Sequence, residues 1–222
     1  MNYARPNKEN SVHNLEAQLM LAERYYYGRG VKEDVEKAME LCREAAEQGN
    51  VKAQILMGNC CLDKTEENIS YENEAIKWFK LAAEQGDVEA QYRLGYAYWI
   101  SYDEDEAYHW YVIAAKQGHA IAQYKAGQLC ENAAEAAKWY RMSAEQGYAR
   151  AQAELGDCYL KGRGVEKDEK EAVKWCKLAA EQEDAQACRI LCECYAKGYG
   201  VEKDLTEAMA WYQKFQAAAP SW

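Results

Sequence analysis

Three histidines are the first candidates for acid–base or nucleophilic chemistry in this sequence. His13, His109 and His119 stand at no recognisable spacing from a nucleophile or a carboxylate, so the pattern does not indicate a catalytic triad. The glycine-rich turns are followed by valine and lack the Lys-Ser/Thr pair of a phosphate-binding loop. We therefore expect no enzyme activity, with one alternative left open: a hydrolase that uses carboxylates such as Asp157 or Glu193.

Nine cysteines form the second group of residues with potential chemistry. The densest cluster is Cys188, Cys192 and Cys194, whose first two members share a face of a predicted helix and could seat a soft metal ion. A closed zinc site needs four ligands, commonly with C-x-x-C spacing, and no histidine is close in the sequence. We therefore predict packing residues, with no metal and no cofactor. The same packing role is predicted for Cys60, Cys61, Cys130 and Cys158.

Charge and hydropathy narrow the classes of partner. The 222 residues include 27 Lys and Arg against 37 Asp and Glu, a net charge of -10 that disfavours nucleic acid and anionic membranes as partners. The longest apolar run, residues 110–115, is far shorter than the roughly 20 residues that a membrane-spanning helix needs. The polar N-terminus and an odd number of cysteines within apolar segments predict reduced thiols and a cytoplasmic location.

An internal repeat organises most of the chain. The dipeptide Ala-Gln, or Ala-Cys in the last unit, opens a unit at Ala17, Ala53, Ala90, Ala122, Ala151 and Ala187. A lead-in, residues 1–16, is expected to cap the first unit. The predicted repeats then span 17–52, 53–89, 90–121, 122–150, 151–186 and 187–222.

Each repeat has the pattern of two helices. Apolar residues in the first half recur at unit positions 1, 5, 8, 9 and 12, as one helical face requires, and position 6 is nearly always tiny. The second half has an Ala-x-x-Trp core followed by a pair of small residues. Glycines that predict left-handed helix ends follow at Gly49, Gly86, Gly118 and Gly147. Predicted N-caps are Asn50, Asp87 and Asp184 for first helices, and Asp34, Asp168 and Asp204 for second helices.

The combined motif is A-x-x-x-L-G-x-x-Y-x-x-G-x-G-V-x-x-D-x-x-x-A-x-x-W-x-x-x-A-A-x-Q-G over residues 17–222, and it resembles the Sel-one-like repeat family, a relative of tetratricopeptide repeats. The resemblance implies an all-α fold, a right-handed α-solenoid (superhelix) of six helix-turn-helix repeats whose first helices line a concave groove. Some cysteine-rich branches of the family carry a β-lactamase label. Here Cys42 and Cys176 lie earlier on the second helix than the cysteines of those branches, so we expect neither the label nor the disulfides to transfer.

By analogy with tetratricopeptide geometry, unit positions 3, 7, 10 and 11 should face the groove. The aromatic residues that the repeat does not require concentrate there in the first four repeats. Aromatic side chains are common in interface hot spots, although covering the seams between repeats is an alternative role. The predicted partner-binding residues are Leu19, Glu23, Tyr26, Tyr27, Tyr92, Tyr96, Trp99, Tyr124 and Gln128.

These features predict an adaptor or scaffold that binds a peptide or a partner protein. The acidic stretches 63–74 and 103–106 favour a basic or amphipathic partner. At the other end, the second helix of repeat 6 should leave an apolar seam around Trp211 and Phe215. We expect that either Trp222 folds back over this seam or the chain self-associates weakly through it, most simply by a two-fold contact.

Overall fold

The structure is a computed structural model that describes residues 8–65, 68 and 70–218, with side chains from residue 15 onward. Within that range the chain forms twelve α-helices and no β-strand. The helices are α1 (Lys8–Tyr27), α2 (Val35–Glu47), α3 (Val51–Asp63), α4 (Ser70–Glu84), α5 (Val88–Ile100), α6 (Glu104–Lys116), α7 (Ala120–Leu129), α8 (Ala133–Glu145), α9 (Ala149–Lys161), α10 (Glu169–Ala180), α11 (Ala185–Lys197) and α12 (Leu205–Ala218). Each predicted repeat therefore holds two helices. Residues 8–16 of the lead-in form the first part of α1.

Side-chain caps start most of these helices, because the first backbone N–H groups of a helix have no partner within it. All six predicted caps are confirmed, since each side chain accepts a hydrogen bond from a backbone N–H two or three residues later. A cap of this kind contributes about 1 kcal/mol. His119 and Asn132 cap α7 and α8 in the same way.

Left-handed residues end the helices where the sequence predicts them. The four glycines after the second helices, Gly49, Gly86, Gly118 and Gly147, have φ between 88° and 94°. Two other residues adopt this region without being glycine: Tyr102, with φ 60°, and Glu183, with φ 63°. A side chain in this conformation costs about 1 kcal/mol or more relative to glycine.

The chain divides into two compact units within α6: an N-terminal unit, residues 1–110, and a C-terminal unit, residues 111–222. Inside each unit, successive helices pack side by side through small residues. In the N-terminal unit, Gly58 of α3 lies under the ring of Phe79, where an alanine Cβ would come within 2.5 Å of the ring. In the C-terminal unit, Gly127 of α7 meets Tyr140 similarly, at 2.6 Å. A glycine at unit position 6 thus leaves space that a side chain of the neighbouring helix fills.

The glutamine of the Ala-Gln dipeptide takes part in a chain of hydrogen bonds between two glutamine side chains and a backbone carbonyl, which we call the glutamine relay. In repeat 2, Gln54 donates a hydrogen bond through Nε2 to the carbonyl of Ala46, at 3.1 Å, and accepts one at Oε1 from Gln85 Nε2, at 2.8 Å. The relay therefore ties the end of one repeat to both helices of the next. The C-terminal unit contains two more relays, formed by Gln123 with Gln146 and by Gln152 with Gln182.

Repeat 6 lacks both partners of this relay. Cys188 takes the place of the first glutamine and Ala218 that of the second. A cavity of about 380 Å³ lies there, and it is also lined by Ala180, Lys214 and Ala217.

The cysteines are all unpaired in the structure. Seven are buried, including Cys60, Cys61 and Cys158, as their packing role requires. The prediction for Cys130 is wrong: this residue follows the last residue of the short helix α7 and is only half-buried, because the helix ends before the core-facing position. Cys192 is half-buried as well.

Candidate partner-binding surface

Exposed aromatic side chains mark the first helices of the N-terminal unit. Tyr96 and Trp99 on α5 are 36% and 40% exposed, and their ring centroids lie 6.0 Å apart. Tyr26 and Tyr27 on α1 occupy unit positions 10 and 11 of repeat 1, with their rings edge to face at 4.8 Å; Tyr27 is exposed and Tyr26 is half-buried. We call these four residues the N-terminal aromatic face. They lie at unit positions 7, 10 and 11, which the sequence predicts to face a partner.

Polar contacts hold α1 of this face in position. The Tyr26 hydroxyl donates a hydrogen bond to the carboxylate of Asp63 on α3, and burial together with this bond raises the pKa of Tyr26 well above its ordinary value. The guanidinium group of Arg29 lies over the ring of Tyr27, 4.6 Å from its centroid. Glu23, one turn earlier on α1, is half-buried. The side chains on α1 are thus partly oriented by contacts within the unit.

The remaining predicted binding residues are more buried than the N-terminal aromatic face or belong to the C-terminal unit. Leu19 is buried in the core of the N-terminal unit, and Tyr92 is half-buried on α5. Tyr124, in the C-terminal unit, is buried against Tyr148, and burial raises its pKa to about 12. The exposed Gln128 donates a hydrogen bond of 2.8 Å to the Tyr124 hydroxyl. Leu19 and Tyr124 therefore support their helices from inside in this structure.

The sequence pattern did not identify two residues with unusual surroundings, one aromatic and one polar. Tyr102 follows α5 and is 92% exposed, but it lies outside the four unit positions used for the prediction. Its acidic neighbours were the only available signal. Asn59 on α3 is buried at unit position 7, and its Oδ1 has no hydrogen-bond partner among the described residues. Nothing in the local pattern distinguishes this asparagine from an exposed one.

Ion pairs occupy the equivalent positions of the C-terminal unit. Asp157, whose side chain is 6% exposed, pairs with Lys161 at 2.9 Å and with Arg163. Glu193 pairs with Lys197 at 2.7 Å. Both candidate carboxylates of the hydrolase alternative therefore have neighbouring cations as partners, and the geometry resembles structural ion pairs rather than an acid–base pair.

The described histidine side chains also have structural roles. His119 is the N-cap of α7, and its Nδ1 accepts a hydrogen bond from the Ala122 N–H at 3.0 Å. His109 is exposed and stacks edge-on against Trp110, with centroids 5.6 Å apart. The side chain of His13 lies outside the described residues.

The net charge is distributed unevenly between the two units. Residues 1–110 carry 12 Lys and Arg against 21 Asp and Glu, whereas residues 111–222 carry 15 against 16. Almost all of the net negative charge therefore lies in the N-terminal unit, which also carries the N-terminal aromatic face.

In the part of the chain that the structure describes, no three His, Cys, Asp or Glu side chains are grouped as a metal site would require. No helix in the same part is long and apolar enough to span a bilayer.

Comparison with known families decides the class of protein. The model of the Sel1 repeat matches this chain six times in succession, at residues 15–50, 51–87, 88–119, 120–148, 149–184 and 185–215. The chain belongs to the Sel1 repeat family. Its fold is accordingly the all-α solenoid of helix-turn-helix repeats, as the sequence predicts. The family model begins each repeat two residues before the Ala-Gln register, so that the N-cap precedes its first residue.

Solved structures of Sel1 repeat proteins are similar over nearly the whole chain. The protective antigen c5321 of uropathogenic Escherichia coli strains, which displays an SLR fold, is 34% identical with a TM-score of 0.82 over 94% of this chain. A Sel1 repeat protein from Oxalobacter formigenes is 30% identical with a TM-score of 0.77, again over 94%. The match covers only 47% and 64% of those two proteins, respectively.

A more distant similarity extends the fold to tetratricopeptide repeats. YrrB, described as a TPR protein with an unusual peptide-binding site, is 18% identical with a TM-score of 0.54 over 80% of this chain and 91% of its own. At this identity the likeness concerns the fold alone. Sel1 and tetratricopeptide-like repeats are generally protein-interaction modules.

Proposed function

We propose that this Sel1 repeat protein is a non-enzymatic adaptor or scaffold that binds a peptide or partner protein on its N-terminal aromatic face. The observation that carries the proposal is the exposure of Tyr96, Trp99 and Tyr27 at unit positions 7, 10 and 11, three of the positions that the sequence predicts to face a partner. Large aromatic side chains lose little conformational entropy on binding and bury much area, so they serve as anchors in interfaces. Stacked repeats provide such a face without a preformed pocket.

The charge of the N-terminal unit favours a basic or amphipathic partner. With 21 acidic residues against 12 basic ones, this unit attracts a cationic segment and raises its association rate. In the C-terminal unit the equivalent positions hold two ion pairs, Asp157 with Lys161 and Glu193 with Lys197. A partner there would have to displace these ion pairs, so we assign the main contact to the N-terminal unit.

The alternative hydrolase has less support, because Asp157 and Glu193 both have intramolecular cationic partners.

The cytoplasmic location stays a prediction from the sequence. YrrB, a TPR protein of similar fold with an unusual peptide-binding site, offers a precedent for the proposed function. Leu19, Tyr92, Tyr124 and Gln128 remain predicted contributors, with the two buried residues in a supporting role.

We also propose weak self-association through α12. Leu205 and Met209 on this helix are 66% and 58% exposed, and Tyr212 continues the stripe one turn later. The residues of α10 at the same repeat positions as Met209 and Tyr212, Val173 and Cys176, are buried. A two-fold contact between α12 helices, centred on Met209, would cover this stripe in both copies. Trp222, the alternative cover, lies outside the described residues.

Affinity capture with three forms of the protein tests the main proposal. The wild-type chain should retain a defined partner, identified by mass spectrometry, and the double variant Tyr96→Ala, Trp99→Ala should lose it. Leu81→Ala is the matched control, because Leu81 is equally exposed in the same unit but lies on a second helix. Retention of the partner by the double variant would contradict the proposal. A turnover activity that disappears in Asp157→Asn would favour the hydrolase.

A further inference from the structure

The turn after α5 exposes an additional aromatic side chain next to Trp99. Tyr102 is 92% exposed, and its backbone N–H donates a hydrogen bond of 3.2 Å to the carbonyl of Trp99. Tyr96, Trp99 and Tyr102 follow one another at intervals of three residues. We call these three residues the α5 aromatic patch; all three are exposed in the same structure.

Tyr102 occupies a backbone conformation that the other repeats give to glycine. Its φ is 60°, and the first helices of repeats 1, 5 and 6 end instead at Gly28, Gly162 and Gly198, with φ of 66°, 68° and 80°. A glycine at residue 102 would adopt this conformation more readily. The tyrosine side chain therefore brings no evident benefit to the fold, since it is almost wholly in solvent.

Carboxylates directly follow the patch. Asp103, Glu104, Asp105 and Glu106 are all exposed, and none of them forms an ion pair among the residues that the structure describes. Asp103 accepts a hydrogen bond from the Glu106 N–H at 3.2 Å and so starts α6. The patch thus combines apolar ring faces with negative charge that no neighbouring side chain balances.

We propose that the α5 aromatic patch binds an arginine side chain in a basic segment of the partner, an inference that rests on the proposed function and names its specificity. A guanidinium group stacks on aromatic faces and also pairs with carboxylates through its fork of N–H donors, whereas an ammonium group does this less well. The aromatic rings supply the stacking surface, and the carboxylates of residues 103–106 supply the charge complementarity. Tyr102 is the specificity-determining residue, because it stands in the sequence between Trp99 and the carboxylates and its side chain is 92% exposed.

The test uses the whole chain and three synthetic peptides in which leucine alternates with arginine, lysine or glutamate. Binding is measured by fluorescence anisotropy of the labelled peptide. We expect the arginine peptide to bind several-fold more tightly than the lysine peptide, and the glutamate peptide not to bind. Tyr102→Gly should weaken binding of the arginine peptide about tenfold and should reduce its preference over lysine. Because this change leaves the charge unaltered, non-specific attraction to the acidic unit remains the same.

A second strained residue provides the control. Glu183→Gly relieves the same backbone conformation in the C-terminal unit. Both variants should melt at a higher temperature than the wild type, but only Tyr102→Gly should bind less tightly. Arginine-peptide binding that Tyr102→Gly leaves unchanged would overturn the inference while the proposed function stands. If no basic peptide binds the wild type, both the inference and the basic partner of the proposed function are wrong.

Discussion

The side-chain nitrogen of Gln85 lies 2.8 Å from the side-chain oxygen of Gln54, and this hydrogen bond joins the end of one helix to the start of another. Gln54 in turn donates to the carbonyl of Ala46 in the preceding repeat. The buried amide of Gln54 therefore adds one hydrogen bond to the Ala46 carbonyl, which also accepts the Gly49 N–H, and one to the Gln85 side chain. Its position is the second residue of the Ala-Gln dipeptide by which the repeats are recognised in the sequence.

Replacing Gln54 tests the energetic importance of this relay. Gln54→Ala should lower the free energy of unfolding by about 1–3 kcal/mol, because it removes the two buried hydrogen bonds that Gln54 forms with the Ala46 carbonyl and the Gln85 side chain. Chemical denaturation monitored by circular dichroism measures the change. Gln48→Ala is the control, since Gln48 is exposed and its side chain donates a hydrogen bond to the exposed Glu44, and it should stay within about 0.5 kcal/mol. Equal effects of the two substitutions would show that the relay adds no stability.

Tyr96 and Trp99 of the N-terminal aromatic face should contribute much of the binding free energy and little to the stability of the fold. The double variant Tyr96→Ala, Trp99→Ala should weaken binding of the captured partner by about 2 kcal/mol or more. Titration calorimetry gives the affinity, and far-ultraviolet circular dichroism should show unchanged helicity, since both side chains are substantially exposed. Undiminished affinity, or an unfolded double variant, would mean that these residues belong to the packing of the repeats.

Thiol reactivity should separate buried from half-buried cysteines. Burial raises the pKa of Cys42 and Cys61 to about 12 and that of Cys194 to about 11, so almost none of these thiols is in the reactive thiolate form at pH 8. In the native protein, Ellman's reagent should therefore modify only the half-buried Cys130 and Cys192 rapidly.

All nine cysteines should react after denaturation without reductant, if the thiols are reduced. A metal chelator should leave the melting temperature unchanged. A lower thiol count would instead reveal disulfides, and a marked fall in melting temperature with chelator would revive a metal site at Cys188 and Cys192.

Self-association should depend on the exposed stripe of α12. Sedimentation velocity over a wide range of protein concentration should show a weak dimer of the wild-type chain. Met209→Glu should abolish this dimer, because it places two carboxylates at the centre of the proposed two-fold contact. Met20→Glu changes an equally exposed methionine on α1 and should leave dimerisation intact. A strictly monomeric wild-type chain would refute the contact.

Most of the fold could be predicted from the sequence because its determinants are local. Caps such as Asn50 and left-handed glycines such as Gly86 act within a few residues, and they recur in most repeats. The surface was harder to predict. Leu19 and Tyr92 occupy the same unit position, yet Leu19 is buried and Tyr92 only half-buried, because the burial of that position depends on the neighbouring repeat. Tyr102 lies in a turn that repeat 3 builds differently, so no periodic rule could reach it.

The missing relay of repeat 6 has a consequence for how the protein loses its structure. Where repeats 2, 4 and 5 place two hydrogen-bonded glutamines, this one has Cys188, Ala218 and a cavity of about 380 Å³. In an array of repeats, the coupling between neighbours determines where opening begins. Helices α11 and α12 should therefore detach as a separate cooperative segment before the preceding repeats open, and their amide protons should exchange with solvent first.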